Sequence, residues 1–168
     1  MVIRGRRLVV MLGMALLLAA LTAPSLASVF LREDVASLKA RSHAVVHARV
    51  TDVRSYWNDD RTMIFTDVTL AVKGRLHGTA AGQIVVRVPG GTVDDYTVEM
   101  EGAPQFDSGD EVIAFIGSWE DGAPMIAGYF QGVSRVGRDK SGNAILHGGV
   151  ADGLPMIELA RQLGRSDR

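Results

Sequence analysis

The sequence predicts a small all-β protein with one short helix at each end, folded as an antiparallel, partly open barrel. Apolar and polar residues alternate with a period of two through most of the chain, and turn-forming residues recur about every 8–15 residues. No long helical pattern separates the strands, which argues against a parallel sheet. Glycines inside a late strand favour a barrel of the oligonucleotide/oligosaccharide-binding (OB) kind. A β-sandwich is the alternative.

The first 27 residues have the pattern of a secretory signal peptide. Arg4, Arg6 and Arg7 precede an uncharged apolar run over Leu8–Ala23, and Ser25-Leu26-Ala27 supplies small residues before a cut. The run is short for a membrane span, so cleavage is expected and an uncleaved anchor is the alternative.

The chain is therefore expected to consist of a signal peptide, residues 1–27, and a single domain, residues 28–168, that is periplasmic or secreted. Removing the signal takes away three arginines and no acid, which changes the formal charge from −1 to −4. We expect no nucleic-acid partner and no stable membrane insertion after cleavage. The chain has no cysteine, which excludes disulfides and thiol nucleophiles.

The first predicted elements are a helix and a long hairpin. Apolar residues at helical spacing predict a helix over Val29–Arg41. Alternation then predicts strands at residues 46–53, with a bulge near Asp52, and at residues 64–73. Asn58-Asp59-Asp60 forms the turn between them. After a loop at Gly74–Gly82, two shorter strands are predicted, at residues 84–88 and 96–101.

The second half contains the most apolar strand. Val112–Ile116 is continuously apolar, which predicts burial on both faces of the sheet. Met125–Val136 is predicted as one strand interrupted by glycines, and Ala144–His147 as a short last strand. Apolar residues at helical spacing after Pro155 predict a closing helix that ends at Gly164. The total is six or seven strands.

Several segments resemble an uncharacterised family of bacterial secreted β-rich domains, over roughly residues 30–137. The resembling segments are His43-Ala44-Val45-Val46 through Trp57, Phe65-Thr66-Asp67-Val68 with Val72-Lys73-Gly74, Val86-Arg87-Val88-Pro89-Gly90-Gly91, Gly102-Ala103-Pro104 with Phe106, Gly109-Asp110-Glu111-Val112, and Gln131-Gly132 with Arg135-Val136. Such domains also occur beside extracellular metalloprotease domains. The resemblance implies an exported module with an OB-like or netrin-like barrel, and it implies no activity and no site residues.

Three aromatic residues are the candidate binding residues. Tyr56 and Trp57 end the first long strand, and Trp119 precedes a hairpin turn. Aromatic side chains bind sugar faces and partner proteins, so Trp57 and Trp119 are expected to belong to a recognition patch.

No catalytic or metal-ligating set stands out in the sequence. His43 and His47 lie four apart on a predicted strand, about 13 Å from each other at the usual rise, which is too far to chelate one ion. The acidic loops match no dedicated calcium motif and are explained by turn chemistry, with weak calcium binding as an open alternative. We therefore expect no catalytic residue, no metal site and no cofactor.

These observations predict an exported, non-catalytic binding module whose partner is an extracytoplasmic protein, such as a protease or an envelope component. A carbohydrate-binding module that uses the exposed aromatics is one alternative. A metal-dependent hydrolase that uses His43, His47 or His147 with nearby acids is another.

Overall fold

A computed structural model describes residues 31–164. The predicted signal peptide, its cut and residues 28–30 lie outside the described part. From Glu33 onward, the described residues belong to one compact unit. Within residues 31–164, no helix has both the length and the apolar character needed to cross a bilayer.

The described residues form two α-helices, nine strands and two short 3₁₀ helices. In chain order these are α1 (Val35–Arg41), β1 (Ala44–Trp57), β2 (Ile64–Gly78), β3 (Gln83–Pro89), β4 (Gly91–Val93), β5 (Tyr96–Val98), β6 (Glu111–Ser118), β7 (Pro124–Ile126), a 3₁₀ helix (Tyr129–Gly132), β8 (Val133–Arg138), β9 (Ala144–His147), a 3₁₀ helix (Gly149–Ala151) and α2 (Met156–Gly164). The predicted all-β class with a short helix near each end is confirmed.

Seven strands form one antiparallel sheet that does not close. Its order is β3-β2-β1-β6-β8-β9, with β7 paired to β6, and β4 and β5 form a separate two-stranded sheet. The sheet curls so that β3 lies against β7, where Trp119 Nε1 donates to the main-chain oxygen of Arg87 over 3.2 Å. This contact uses a side chain and no strand pairing, so the sheet remains a partly open one.

The central strands β1 and β6 are buried on both faces over residues 44–48 and 112–116, where the two strands pair. Inside the curl, alternate residues of these strands pack with β2 and β3; this first core includes Val46, Val68 and Ala114. On the other face, Val45 and Phe115 pack under α1 and α2 in a second core. The continuous apolar run at 112–116 is thereby explained, and its predicted burial on both faces is confirmed.

The hairpin of β1 and β2 is confirmed and is longer than predicted. The register shifts between Val50 and Asp52, at the predicted bulge. The predicted loop at 74–82 is wrong over its first half, because β2 continues to Gly78, which pairs with Ala44. Leu76 packs on the second core, so burial maintains the strand beyond the point where the alternation fades.

Three other predicted boundaries are wrong for identifiable reasons. In the described residues the first helix begins at Val35, and the predicted helical residues 31–34 lie before it, because Asp34 is the N-cap and accepts a 2.7 Å bond from the amide of Ser37. Residues 29 and 30 of the predicted helix lie outside the described part. The predicted strand over 125–136 is two strands, since Gly128 and Tyr129 have positive φ angles of 73° and 55° that turn the chain into a 3₁₀ helix. The predicted strand at 96–101 ends at Val98, because the chain turns at Met100, whose oxygen accepts a bond from the amide of Ala103. With the unpredicted strand Gly91–Val93, the described residues hold nine strands rather than six or seven.

Candidate functional site

A cleft of about 410 Å³ opens where the ends of β1, β2 and β3 meet the small sheet of β4 and β5. Its volume is within the range of sites that hold small ligands. The residues that line it are Val53, Ser55, Thr66, Val68, Val88, Pro89, Gly90, Gly91, Thr92, Thr97, Val98, Glu99, Met100, Pro104, Gln105 and Phe106. Hydroxyl groups, apolar side chains and one carboxylate thus meet in one concave site.

Two hydroxyl groups from neighbouring strands form the floor of the cleft. Thr66 Oγ1 donates to the main-chain oxygen of Gly90 over 2.7 Å, and Ser55 Oγ lies 2.9 Å from Thr66 Oγ1. Because the single hydroxyl hydrogen of Thr66 is used at Gly90, Ser55 is the donor to Thr66. The oxygen of Ser55 therefore keeps lone pairs with which it can accept hydrogen bonds in the cleft.

Gly91 allows β4 to approach this floor. A Cβ atom at Gly91 would lie 2.3 Å from Thr66 Oγ1 and 2.4 Å from Ser55 Oγ, and its φ angle is 137°. Both the space and the backbone conformation favour glycine here. The small sheet is thus held close to the hydroxyl pair.

The opposite wall carries polar and apolar groups from β5 and the segment that follows it. Thr97 Oγ1 shares a 2.9 Å hydrogen bond with Thr92 Oγ1 across the small sheet. Met100 is 37% exposed and, with Phe106, gives the wall an apolar surface. Glu99 is exposed and makes no hydrogen bond or ion pair with another described residue.

The cleft and the chain around it are acidic. Glu99 is the one charged residue among those that line the cleft in the described structure. Residues 88–134 contain nine Asp or Glu residues and no Lys, Arg or His. Three of the nine pair with cations from elsewhere in the chain, Asp110 with Arg135, Glu111 with Lys73 and Asp121 with Arg87, and the other six form no ion pair in the described structure.

Trp57 lies beside this cleft, on the cleft's side of β1. Its ring meets the ring of Tyr96 edge-on, with centroids 5.7 Å apart. Trp57 follows Ser55 by two residues on β1, and side chains two apart on a strand share a face. Tyr96 is 65% exposed, so the pair presents aromatic surface near the cleft.

Tyr56 and Trp119 lie on the other face of the sheet. The ring of Phe65 stands 6.4 Å from the ring of Tyr56 and 6.4 Å from that of Trp119, forming an aromatic row. Tyr56 Oη donates to Asp67 Oδ1 over 3.2 Å, and burial is the main reason that the pKa of Tyr56 is raised above 10.0.

An ion pair joins this aromatic row to the loop between β6 and β7. Arg87 Nη1 lies 2.8 Å from Asp121 Oδ2, and the guanidinium group stands 5.8 Å from the centroid of Phe65. With the bond from Trp119 to the oxygen of Arg87, these contacts hold the loop against β3. The row therefore joins β3, at one edge of the open sheet, to the loop between β6 and β7.

The three predicted binding residues are thus divided between two faces. Tyr56 and Trp119 meet through Phe65 on one face, and Trp57 lies with Tyr96 on the other. The sequence prediction missed the polar floor of the cleft. Its signal was present, because Ser55 and Thr66 are polar residues at inward positions of strands that are otherwise apolar on that face.

A second polar cluster surrounds Glu111 on the outer side of β1, β2 and β6. Its carboxylate lies 2.7 Å from Lys73 Nζ, 2.7 Å from His47 Nε2 and 3.7 Å from Arg49 Nη2. The hydrogen bond from Lys73, followed by that from His47, holds the pKa of Glu111 below 4.5. The cluster ties three strands together around one ionised carboxylate.

Within residues 31–164, no three His, Cys, Asp or Glu side chains converge on a possible metal position. His47 is engaged with Glu111. The acidic loops show the turn chemistry that the sequence predicts: Asn58 Oδ1 accepts 2.9 Å bonds from the amides of Thr62 and Met63. The structure thus offers no described ligand set for the hydrolase alternative.

Comparisons of the chain with family models, with curated proteins and with solved structures gave no match. The described geometry defines a small all-β domain with one open curled sheet and an acidic cleft at its end.

Proposed function

We propose that the protein is an exported, non-catalytic binding module that holds part of an extracytoplasmic partner protein in the cleft. The observation that carries this proposal is the cleft itself, which combines a hydroxyl floor, apolar walls and one unpaired carboxylate. Binding sites combine apolar lining with a few polar groups that fix orientation in this way.

The hydrogen bonding of the floor supports binding rather than catalysis. Ser55 bonds to Thr66, and Thr66 bonds to a main-chain oxygen. A nucleophilic hydroxyl is activated by an adjacent base. Here the recorded partners of both hydroxyls are another hydroxyl and a carbonyl group.

Export is supported by the sequence of residues 1–27, with its arginines, apolar run and small residues at the expected cut. We expect the protein recovered outside the cytoplasm to begin at Ser28. Amino-terminal sequencing of that material tests the cut, and recovery of the intact chain from the membrane fraction alone would favour the uncleaved anchor.

The binding proposal is tested by filling the cleft. Thr97→Trp places a large ring in it, whereas Thr69→Trp places the same ring on the outer side of β2 and serves as the control. Tagged forms of the full chain are expressed, and the purified proteins are used to capture partners from envelope extract. A partner that the wild type and Thr69→Trp retain, and Thr97→Trp loses, is the expected result. Equal retention by both variants would contradict a role for the cleft.

Carbohydrate binding is the second candidate, and the aromatic pair of Trp57 and Tyr96 beside a hydroxyl-lined cleft favours it. Sugars stack on aromatic rings and bond to hydroxyl and carboxylate groups. A saccharide in the cleft would change the fluorescence of wild-type protein but not that of Trp57→Phe. An unchanged spectrum across a panel of polysaccharides would eliminate this candidate.

A further inference from the structure

We propose that the cleft receives an extended segment of the partner protein that presents a lysine or arginine side chain. This inference rests on the proposed binding function and names the chemistry of its ligand. The cleft defines the site, and its hydrogen-bonding groups and charge determine the occupant.

The floor and wall of the cleft present hydrogen-bond acceptors. Ser55 uses its hydroxyl hydrogen on Thr66, so its oxygen offers lone pairs. Glu99 offers a carboxylate that accepts hydrogen bonds and has no partner among the described residues. An ammonium or guanidinium group carries donors and no acceptor, and it therefore complements each of these acceptors.

The apolar lining fits the rest of a lysine or arginine side chain. Val53 is 37% exposed, Met100 is equally exposed, and Phe106 is half-buried beside them. Lysine and arginine cover apolar surface with their methylene stems while the charged head remains at polar groups. A cleft with apolar walls and acceptors therefore complements both parts of such a side chain.

The surrounding charge favours the same ligand. Asp94 and Asp95 lie at the turn between β4 and β5, Glu101 lies in the segment that follows, and none of the three forms an ion pair in the described structure. Arg135 donates to the main-chain oxygen of Gln105, which lines the cleft, but its charge is matched by its ion pair with Asp110. A potential of one sign raises the association rate of oppositely charged ligands and repels like-charged ones.

The small sheet favours a polypeptide over a free amine. In residues 31–164, β5 pairs with β4 alone, and its residues Thr97 and Val98 line the cleft. The second edge of β5 therefore carries main-chain groups with no strand partner. An extended segment that pairs with such an edge gains hydrogen bonds that a small amine does not form.

The test uses three capped peptides, together with protein purified from cells that express the full chain. The probe is acetyl-Thr-Val-Lys-Val-Thr-amide; in the other two, norleucine or glutamate replaces lysine. Norleucine keeps the stem and removes the charge. We expect the lysine peptide to bind about fivefold or more tightly than the norleucine peptide, and the glutamate peptide to bind weakest. Amide shifts are expected at Gly91, Thr92 and Thr97.

Matched variants test whether the effect of charge on peptide affinity arises in the cleft. Glu99→Gln is expected to weaken the lysine peptide about fivefold and to leave the norleucine peptide unchanged. Ser55→Ala removes the second acceptor and is expected to weaken the lysine peptide as well. Glu120→Gln makes the same change of charge in the loop between β6 and β7, and it is expected to change the affinity less than about twofold.

Several results would overturn the inference. Among the peptides, they are equal affinity for the lysine and norleucine peptides, affinity for lysine amide equal to that for the lysine peptide, and no binding of any peptide. Among the variants, the contrary result is an equal loss of affinity in Glu99→Gln and Glu120→Gln. In the spectra, it is amide shifts confined to residues outside the cleft. If Thr97→Trp still loses the partner captured by the wild type, the binding function stands and only this ligand is wrong. If Thr97→Trp retains that partner, the proposed function fails as well.

Discussion

Gly91 fixes the distance between the small sheet and the hydroxyl floor. In Gly91→Ala, the added Cβ would stand within 2.4 Å of two hydroxyl oxygens, on a backbone with φ of 137°. We expect a loss of about 1–3 kcal/mol in the free energy of unfolding and a narrower cleft. Gly82→Ala is the control, because its Cβ would meet no atom within 4 Å. Chemical denaturation measures both, and equal stability of the two variants would contradict the close approach.

Glu111 gives a prediction about pH. Lys73 and His47 hold its pKa below 4.5 in the folded state, so its stabilising effect is present above that value and is lost as the pH falls through the folded-state pKa. Glu111→Gln is expected to lower the free energy of unfolding by about 1 kcal/mol near pH 6. The difference from the wild type should shrink as the pH falls below 4.5 and through the folded-state pKa.

Denaturation of wild type and Glu111→Gln across this pH range is the measurement. Glu120→Gln is the control, because Glu120 is exposed and has no ion-pair partner in the described structure. A difference for Glu111→Gln that stays constant down to pH 3 would show that the carboxylate is not stabilised in its ionised form.

Individual residues also show what the sequence could and could not predict about the site. The period of two predicts Tyr56 and Trp57 at the end of β1, where neighbouring side chains face opposite ways. It does not predict that Phe65 contacts Tyr56 or that Tyr96 contacts Trp57. Those contacts depend on chain segments that are distant in sequence and on the curl of the sheet. The polar inward residue Ser55 was visible in the sequence, whereas its bond to Thr66 required the register of β1 against β2.

At the scale of elements, local patterns predicted the strands whose burial repeats regularly. Ala144–His147 and the helix after Pro155 have the predicted bounds, because each buries one regular face. The patterns failed where backbone geometry overrides side-chain alternation. Gly132 is such a place, since a Cβ there would lie 1.9 Å from the oxygen of Ala127, and the chain turns through a 3₁₀ helix before β8.

The loop between β6 and β7 yields a prediction about the aromatic row. Trp119→Phe keeps a ring beside Phe65 and removes the donor to the oxygen of Arg87. We expect a loss of about 1 kcal/mol in the free energy of unfolding and no change in peptide binding at the cleft. Trp57→Phe, which removes no recorded hydrogen bond, is the matched control and is expected to cost less stability. A loss of cleft binding in Trp119→Phe would instead support the recognition role that the sequence predicts for Trp119.

The whole molecule has two cores that share β1 and β6. The curl of the sheet encloses the first core, and α1 and α2 cover the second. Because residues 44–48 of β1 and 112–116 of β6 pack into a core on each face, loss of one core removes the support of the other. The described residues from Glu33 onward are therefore expected to unfold in a single transition.

Phe115→Ala tests this coupling from the side of the second core. Phe115 is 1% exposed, so its truncation leaves a cavity and is expected to cost about 3–5 kcal/mol. Phe130→Ala, at a position that is 44% exposed, is the control and should cost much less. Trp57 lies beside the cleft, at the opposite end of β1 from α1, so its fluorescence in a Trp119→Phe background reports the cleft end. Far-ultraviolet circular dichroism at 222 nm reports the helices. Coincident denaturation curves from the two signals, shifted together in Phe115→Ala, are the expected result. A circular-dichroism transition at a lower denaturant concentration than the fluorescence transition would contradict this prediction. It would show that the second core unfolds while the cleft end of the sheet is still folded.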